Sequence, residues 1–471
     1  MSEKYTCPVF GRCGGCSSLN LSYEEHLKQK QNYINQLFGE LKLVCEPVVP
    51  SEPVGYRCKV QMAFVQKDPR HFICGNFEPE SHRIVPVENC LLDHPLADEI
   101  IGYIKKLCEK FRLSAYDEKR KTGVIRHVMV RIGCHSGEVM VILVTGTSFF
   151  PGKQNFIKEL RKQFPQITTV VQNINGAFTS KVLGDQFQTV YGPGFIYDSL
   201  MDMKFRLSPG AFYQVNPPQA EKLYQKAIEF ADLRGDELLL DAYCGTGTIG
   251  MIASKHCKEV LGVELNRSAV ADARINAKIN HVSNIRFVCA DAGDYLISES
   301  IHPQVVIMDP PRSGSSEEFL HALVKASPEK IVYISCGPDT QVRDIKILMK
   351  EGYQPIRLAS FDLFPWTDHV ETVCLLSQRK PDTTIEVDLD ISELEVSSAE
   401  TKATYEEIKS YVLKKYGLKV SNLYIAQVKR ECGIVERINY NLPKTEGNRV
   451  PQCPEDKRKA IKDAFIHFQM I

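Results

Sequence analysis

One segment of the chain constrains its fold more than any other: Leu238-Leu239-Leu240-Asp241-Ala242-Tyr243-Cys244-Gly245-Thr246-Gly247-Thr248-Ile249-Gly250. Three leucines and an acid read as a buried strand. Two glycines read as a tight turn, and the residues after them as the start of a helix. Glycine lets a backbone approach a ligand closely, and a helix N-terminus offers it unpaired N–H groups. A lone G-x-G is a weak signal, but its surroundings strengthen it. A second strand-like run, Val260-Leu261-Gly262-Val263, ends in Glu264 about twenty residues on, where a carboxylate accepts hydrogen bonds from ribose hydroxyls. A third run, Ile285–Val288, is followed by Asp291, placed to meet an adenine edge.

Dinucleotide enzymes usually show G-x-G-x-x-G. The order D-x-x-C-G-T-G-T here instead resembles the S-adenosylmethionine site of class I methyltransferases. A fourth run, Val305–Met308, leads into Asp309-Pro310-Pro311-Arg312. Ligands of such sheets bind at the carboxyl ends of strands, so Asp309 is expected to face the cofactor cleft. Amino-group methyltransferases follow a similar D/N-P-P with an aromatic residue that stacks on the target base. Arg312 stands there instead, which argues against an exocyclic nitrogen as acceptor. RNA cytosine-C5 enzymes carry a cysteine directly after D-x-P, and this chain has none.

The next strand-like run, Ile331–Ile334, ends in Ser335-Cys336-Gly337-Pro338, which exposes Cys336 to the same cleft. Cysteine chemistry answers a specific demand. Carbon 5 of uracil is a poor nucleophile toward a methyl sulfonium. Thiolate addition at carbon 6 makes the ring an enolate, and carbon 5 becomes nucleophilic. A base must then remove the carbon-5 proton so that the thiol can leave. Glu371 is the candidate base, because a carboxyl among apolar strand residues has its pKa raised toward neutrality. His369 is its rival.

At roughly 100–200 residues per domain, 471 residues predict two to four domains. Residues 1–49 read as a cysteine-rich loop followed by a helix over Tyr23–Leu41. Residues 50–215 read mostly as β, with Val128, Val130, Ile132 and then Val139, Val141, Leu143 alternating. Over 216–380, strand-like runs alternate with helical patterns, which predicts βαβ units on a mainly parallel sheet. Residues 381–400 hold seven acidic side chains and no basic one, and read as a solvated linker. Ile385, Val387, Leu389 and Ile391 alternate there and would suit an edge strand. Residues 401–471 carry 14 Lys/Arg against 8 Asp/Glu, a net +6, with helices expected near 403–416 and 455–467. No internal repeat is present.

Over the whole chain Lys+Arg equals Asp+Glu at 58 each, so bulk charge does not advertise a nucleic acid; a local basic face remains open. The longest apolar runs, such as 139–144, are too short to span a bilayer, and the N-terminus lacks a signal-peptide core. A cytoplasmic protein with no membrane partner, and a monomer, is the expectation. Sixteen cysteines in such a compartment are not expected to form a disulfide framework. Cys7, Cys13 and Cys16 form C-x5-C-x2-C, and with Cys90 they suit either zinc or iron–sulfur.

In chain order, Phe212-Tyr213-Gln214-Val215-Asn216, DAYCGTGTIG at 241–250, MDPPR at 308–312, SCGP at 335–338 and HVET at 369–372 resemble the RNA uracil-C5 methyltransferases, over roughly residues 5–378. These include bacterial 23S ribosomal RNA and transfer RNA enzymes. The resemblance implies a class I, Rossmann-like α/β methyltransferase domain, a preceding mostly-β RNA-binding domain and, here, a small α-rich C-terminal module. It implies that Gln214, Tyr243, Glu264 and Asp309 bind S-adenosylmethionine, with Asp291 a further contact. It implies Cys336 as nucleophile and Glu371 as base. The cysteine spacing resembles the [4Fe–4S] site of the ribosomal RNA branch, so Cys7, Cys13, Cys16 and Cys90 are expected to hold a structural or RNA-shaping cluster.

Two features depart from the family pattern. The cysteine loop starts at residue 7, so no TRAM-type barrel is expected before it, and Cys58 stands where asparagine is more usual. The tail after 380 lies outside the family pattern and resembles a small module attached to various proteins of Gram-positive bacteria; its basic balance would suit RNA or ribosome contact. The expected activity is methylation of a flipped-out uridine of 23S rRNA or its precursor. Arg57, Lys59, Arg126, His127 and Arg131 are candidates to hold the RNA backbone. The rivals are the same reaction on the transfer RNA T-loop and a non-catalytic RNA-binding or assembly protein.

Overall fold

A computed structural model describes residues 5–68, 70–81, 83–378, 405–432 and 453–468. They fall into two compact units, 1–383 and 384–471. The acidic segment 381–400, with its alternating apolar residues, lies outside the described residues.

The larger unit opens with the cysteine-rich loop and helix α1 (Tyr23–Gly39). Ser22 and Glu25 form a reciprocal capping box that starts this helix. A first sheet follows, built from β1 (Lys59–Asp68), β2 (His71–Phe77), β3 (Ile84–Pro86), β4 (Ile125–Ile132), β5 (Val139–Thr145), β6 (Ile167–Ile174) and β7 (Gln186–Tyr191), in the order β3-β2-β1-β4-β5-β6-β7. Helices α2 (Pro95–Lys110) and α3 (Lys153–Gln163) cover one face. There Val128, Val130, Val141 and Leu143 meet Ile100, Ile104, Phe156 and Leu160. On the other face Met129, Met140, Ile142 and Val144 join the core of the following segment. Every residue of β4 and β5 is therefore buried.

A short hairpin, β8 (Ile196–Leu200) and β9 (Met203–Leu207), leads to helix α4 (Pro217–Ala231). The second large sheet then uses the apolar runs read from the sequence: β10 (Leu238–Ala242), β11 (Glu259–Glu264), β12 (Ile285–Cys289), β13 (Val305–Met308) and β14 (Lys330–Ser335). These five are parallel. Strands β15 (Gln354–Phe361) and β16 (Glu371–Ser377) complete the order β12-β11-β10-β13-β14-β16-β15, with β16 antiparallel to both neighbours. Helices α5 (Thr248–Ala253), α6 (Arg267–Ile279), α7 (Ala292–Glu299), α8 (Glu317–Ala326) and α9 (Pro338–Lys350) alternate with the strands.

Helices α4 and α6 pack on one face of this sheet. On the other, α1 lies with α7, α8 and α9, burying Ile34 and Phe38 completely. Full burial of two such side chains is worth about 1.5–3 kcal/mol each. This fixes the N-terminal helix to the same sheet that carries the glycine turn.

The smaller unit packs α10 (Tyr405–Tyr416), α11 (Asn422–Glu431) and α12 (Glu455–His467) around Ile408, Val412, Ile425, Val428, Ile461 and Phe465. Helices 10 and 12 match the expected ranges where they are described. Helix 11 was not expected, although Ile425 and Val428 keep helical spacing and Ser421 accepts from the Tyr424 N–H at its start.

Candidate active site

The strand order reverses between β10 and β13, and the crevice outside their carboxyl ends is where such sheets take ligands. The glycine turn lies there. Tyr243, Gly245 and Gly247 all have positive φ, at 63°, 53° and 81°. Gly247 is required twice over. Its conformation disfavours a side chain, and a Cβ there would sit 2.6 Å from the Phe287 ring. Buried Asp241 accepts from the Gly250 N–H at 2.8 Å and so locks the first turn of α5; burial pushes its carboxyl up to about 7.

The cavity beyond the turn is lined by Phe212, Gln214, Tyr224, Tyr243, Gly245, Thr246 and Asp309, among others. Three of the expected cofactor residues, Gln214, Tyr243 and Asp309, thus share one wall. Glu264 joins them through the turn, accepting from the Gly245 N–H at 3.1 Å and the Asn266 N–H at 2.8 Å. Asp291 is exposed at the end of β12 and caps α7, accepting from Gly293 and Asp294, while its charge reaches the Tyr243 hydroxyl. Burial pushes the Asp309 carboxyl up to about 7.

Cys336 and Glu371 stand beside this cavity. Ser335 pairs with Thr372 in the antiparallel register of β14 and β16, so the next residues outward, Cys336 and Glu371, meet at the strand ends. Glu371 is 4% exposed. Burial and the Asp309 charge push its carboxyl up to about 8, against the pull of Arg312 and Lys30. Burial, then Glu371 and Asp309, push the Cys336 thiol up to about 11, and Arg312 opposes them. His369, the rival base, has its pKa lowered by burial and by Arg312 and Lys30.

Sequence reasoning missed Tyr224. This buried residue of α4 lines the same cavity as Gln214 and Asp309; burial and then the Asp309 and Glu371 charges drive its hydroxyl pKa up. Its place in an amphipathic helix gave no sign of a cavity role. Phe212, in contrast, is 67% exposed at the cavity mouth.

The candidate RNA-holding residues need correction. Arg126, His127 and Arg131 are buried, because β4 is covered on both faces. Arg126 spends its guanidinium on the carbonyls of Asn175, Ala177 and Thr179 and on Glu118. Arg131 donates to the carbonyls of Ser208, at 3.3 Å, and Ala211, at 2.7 Å, so it holds the segment that presents Phe212 and Gln214. Arg57 donates to the Gly15 carbonyl, and Lys59 is partly buried beside Arg131.

The cysteines also depart from expectation. Cys58 and Cys134 form a disulfide with a Cα–Cα separation of 6.4 Å, tying the entry of β1 to the turn after β4. Their strands are neighbours, with Lys59 opposite Arg131, which brings the two thiols together. Cys7, Cys16 and Cys90 pack around Leu19, Tyr56, Leu92 and Trp366, and the Cys7 and Cys13 charges help burial push the Cys16 thiol up to about 11. The four expected ligands therefore share a neighbourhood, and their donor set fits a thiolate-held metal. Yet among the described residues no three His, Cys, Asp or Glu side chains stand close enough together to hold a metal ion.

Residues 22–379 match the family described as tRNA (uracil-5-)-methyltransferase. An RNA methyltransferase of Staphylococcus aureus, described as uncharacterized, is 39% identical over 379 residues, 79% of this chain and 83% of its own. One from Halalkalibacterium halodurans is 36% identical over 378 residues, covering 79% and 82%. The crystal structure of the Pyrococcus abyssi tRNA (uracil-54, C5)-methyltransferase in complex with S-adenosyl-L-homocysteine superposes with a TM-score of 0.66 at 28% identity, over 79% of this chain and 87% of that one. With the glycine turn, the DPPR strand end and the SCGP segment all at one crevice, the chain belongs to the family of S-adenosylmethionine-dependent RNA uracil-C5 methyltransferases.

Proposed function

We propose that the chain methylates carbon 5 of specific uridines in 23S rRNA through a covalent bond between Cys336 and carbon 6. The observation that carries this reading is the meeting of Cys336 and Glu371 at adjacent strand ends, beside the cavity that holds Gln214, Tyr243 and Asp309. S-adenosylmethionine supplies the methyl carbon. Gln214, Tyr243, Glu264, Asp291 and Asp309 hold it, Glu264 at the ribose and Asp309 near the reacting end. The uridine leaves its stack, and Phe212 offers an exposed aromatic face on which a freed base can lie.

The Cys336 thiolate adds to carbon 6, and the electron pair of the 5,6 double bond moves onto the carbon-4 oxygen. The enolate returns this pair through carbon 5 to the methyl carbon, whose bond to the sulfonium sulfur breaks with its electron pair left on that sulfur, so that S-adenosylhomocysteine departs. Glu371 then takes the carbon-5 proton, the 5,6 double bond re-forms, and the Cys336 sulfur leaves with its electron pair. A raised carboxyl pKa suits Glu371 to this task, since a base titrating near the working pH both exists as carboxylate and holds the proton well.

The ribosomal RNA target rests on the cysteine loop, whose C-x5-C-x2-C spacing resembles that of the ribosomal branch. In this reading Cys7, Cys13, Cys16 and Cys90 close around a [4Fe–4S] cluster, with Arg57 close enough to Cys16 and Cys90 to offset its thiolate charge. No chemical step passes through it. The basic unit after residue 400 adds RNA contact. The structural likeness to an enzyme named for tRNA uracil 54 favours a second reading, methylation of the transfer RNA T-loop. Labelled methyl transfer into RNA from a deletion strain, with 5-methyluridine mapped across total RNA, tests both. Label in 23S rRNA alone supports the first reading, label in tRNA alone the second, and no label in either overturns the activity.

A further inference from the structure

Helix α1 sends one cation into the protein interior. The Lys30 side chain is 4% exposed, and its ammonium lies 2.6 Å from Asp362 Oδ1, 3.2 Å from the Phe364 carbonyl and 2.7 Å from the His369 carbonyl. All three acceptors belong to the stretch that joins β15 to β16. Phe361 and Glu371 pair at the base of this stretch, so it is the closing loop of the hairpin that presents Glu371.

The rest of the loop is tied to the same part of the chain. The second Asp362 oxygen accepts from the Tyr23 hydroxyl at 2.9 Å, and the Asp362 N–H donates to the Val49 carbonyl. Trp366 has φ +66°, a conformation that a bulky side chain rarely adopts unless its surroundings over-determine it. They do so here. Its N–H donates to His26 Nε2, its carbonyl accepts from Ser17 and Ser18, and its indole donates to the Pro53 carbonyl. Residues 17–53 thus supply these anchors.

We propose that Lys30 is a positioning residue for Glu371: it fixes the loop that aims this carboxylate and supplies the buried positive charge that keeps it able to ionise. The proposal rests on the reading that Glu371 takes the carbon-5 proton. The titratable groups around Glu371 are Asp309 at the end of β13, Arg312 in the loop after it, Cys336 at the end of β14, Tyr224 on α4, His369 and the buried Asp362 on its own loop, and Lys30 on α1, which is paired with Asp362. Arg312 and Lys30 alone among these pull its pKa down, and Arg312 is exposed to solvent, where water screens its charge. Lys30 exerts its pull from within the protein.

The test follows release of the covalent RNA adduct by denaturing electrophoresis from about pH 6 to about pH 10. The enzymes compared are the wild type, Lys30→Met, Lys30→Arg and the double variant Lys30→Met/Asp362→Leu. Removing a cation beside a carboxylate raises its pKa. Release by Lys30→Met is therefore expected to slow about tenfold at neutral pH, with its midpoint about one pH unit higher. Lys30→Arg keeps the charge and the wild-type midpoint. The double variant leaves no lone buried carboxylate, so it keeps the fold if the single one does not; because the Asp362 charge goes too, its upward shift is smaller than that of Lys30→Met but in the same direction. Binding of S-adenosylhomocysteine is unchanged throughout. A wild-type midpoint in Lys30→Met, or in the double variant, overturns the proposal. Glu371→Gln, run alongside, separates the two possible failures. If it traps no adduct, the assignment of Glu371 is wrong and the proposal falls with it. If it traps adduct while the Lys30 variants release normally, the proposal fails alone.

Discussion

Cys336 and Glu371 are the next residues outward from Ser335 and Thr372, the pair that ends the antiparallel register of β14 with β16, so the two side chains leave the same end of the second sheet. The antiparallel β16 matters here. A parallel strand in its place would send Glu371 to the far end of the sheet. Burial raises both groups, and the Glu371 and Asp309 charges add to the cost of a thiolate at Cys336.

Cys336→Ala is expected to reduce methyl transfer by about a thousandfold or more, since an activated nucleophile has no substitute in the site. Cofactor binding is expected to survive, because Cys336 is not part of the cavity wall formed by Gln214, Tyr243 and Asp309. Titration calorimetry with S-adenosylhomocysteine, beside labelled methyl transfer, checks both halves.

The pH dependence of proton removal follows from Glu371. Its pKa is raised to about 8, so its protonated form dominates below that value and cannot act as a base. Single-turnover release is expected to climb about tenfold per pH unit up to near pH 8 and then flatten. A rate independent of pH between about 6 and 8 would reject Glu371 as the group that titrates.

The local features of this site were legible because strand ends carry them. Asp309, Glu264 and Cys336 each follow a short apolar run, and such runs announce parallel strands whose ends meet. What escaped is contact between segments far apart in the chain. Nothing near Lys30 announces Asp362, 332 positions away, and Tyr224 resembles any buried tyrosine of an amphipathic helix. The arginines of β4 misled for a related reason. Alternation within the strand cannot tell a face open to RNA from one covered by the next segment of the chain, and β4 is covered on both sides. The Cys58–Cys134 pair likewise depends on a register that only the folded sheet defines.

Gly247→Ala tests the turn. The left-handed backbone costs about 1–2 kcal/mol for any residue with a Cβ, and the new methyl would press on Phe287 and Ala273. Loss of stability of at least that size in urea unfolding is expected, together with weaker S-adenosylhomocysteine binding, since the turn N–H groups would shift. Unchanged affinity would separate the turn from the cofactor.

Iron content decides the cysteine loop. Protein purified without oxygen is expected to be brown and to carry about four irons, as four thiolates predict for a [4Fe–4S] cluster. Cys16→Ser is expected to lose most of the iron. Stoichiometric zinc without visible absorbance would reject the cluster, and a metal-free protein with all four thiols open to alkylation would reject any metal there.

The last prediction separates the work of the two side chains that meet at the strand ends. In the proposed mechanism Cys336 acts before methyl transfer and Glu371 after it. Removing the base should therefore leave the bond between Cys336 and carbon 6 intact and block only its elimination, since the carbon-5 proton stays in place. Glu371→Gln keeps the shape and hydrogen-bonding reach of the side chain but cannot take that proton. Because the carboxyl is buried and its pKa is raised to about 8, a neutral amide also replaces a group that is largely uncharged at neutral pH, so the fold is expected to hold. The variant should accumulate a methylated RNA–protein adduct that survives denaturing electrophoresis, about one RNA per chain at saturation. Adding Cys336→Ala should remove the adduct completely, which identifies the linked atom. Normal turnover by Glu371→Gln without trapped RNA would assign proton removal to another group, and His369, on the same loop and held through its carbonyl by Lys30, is then the first to replace.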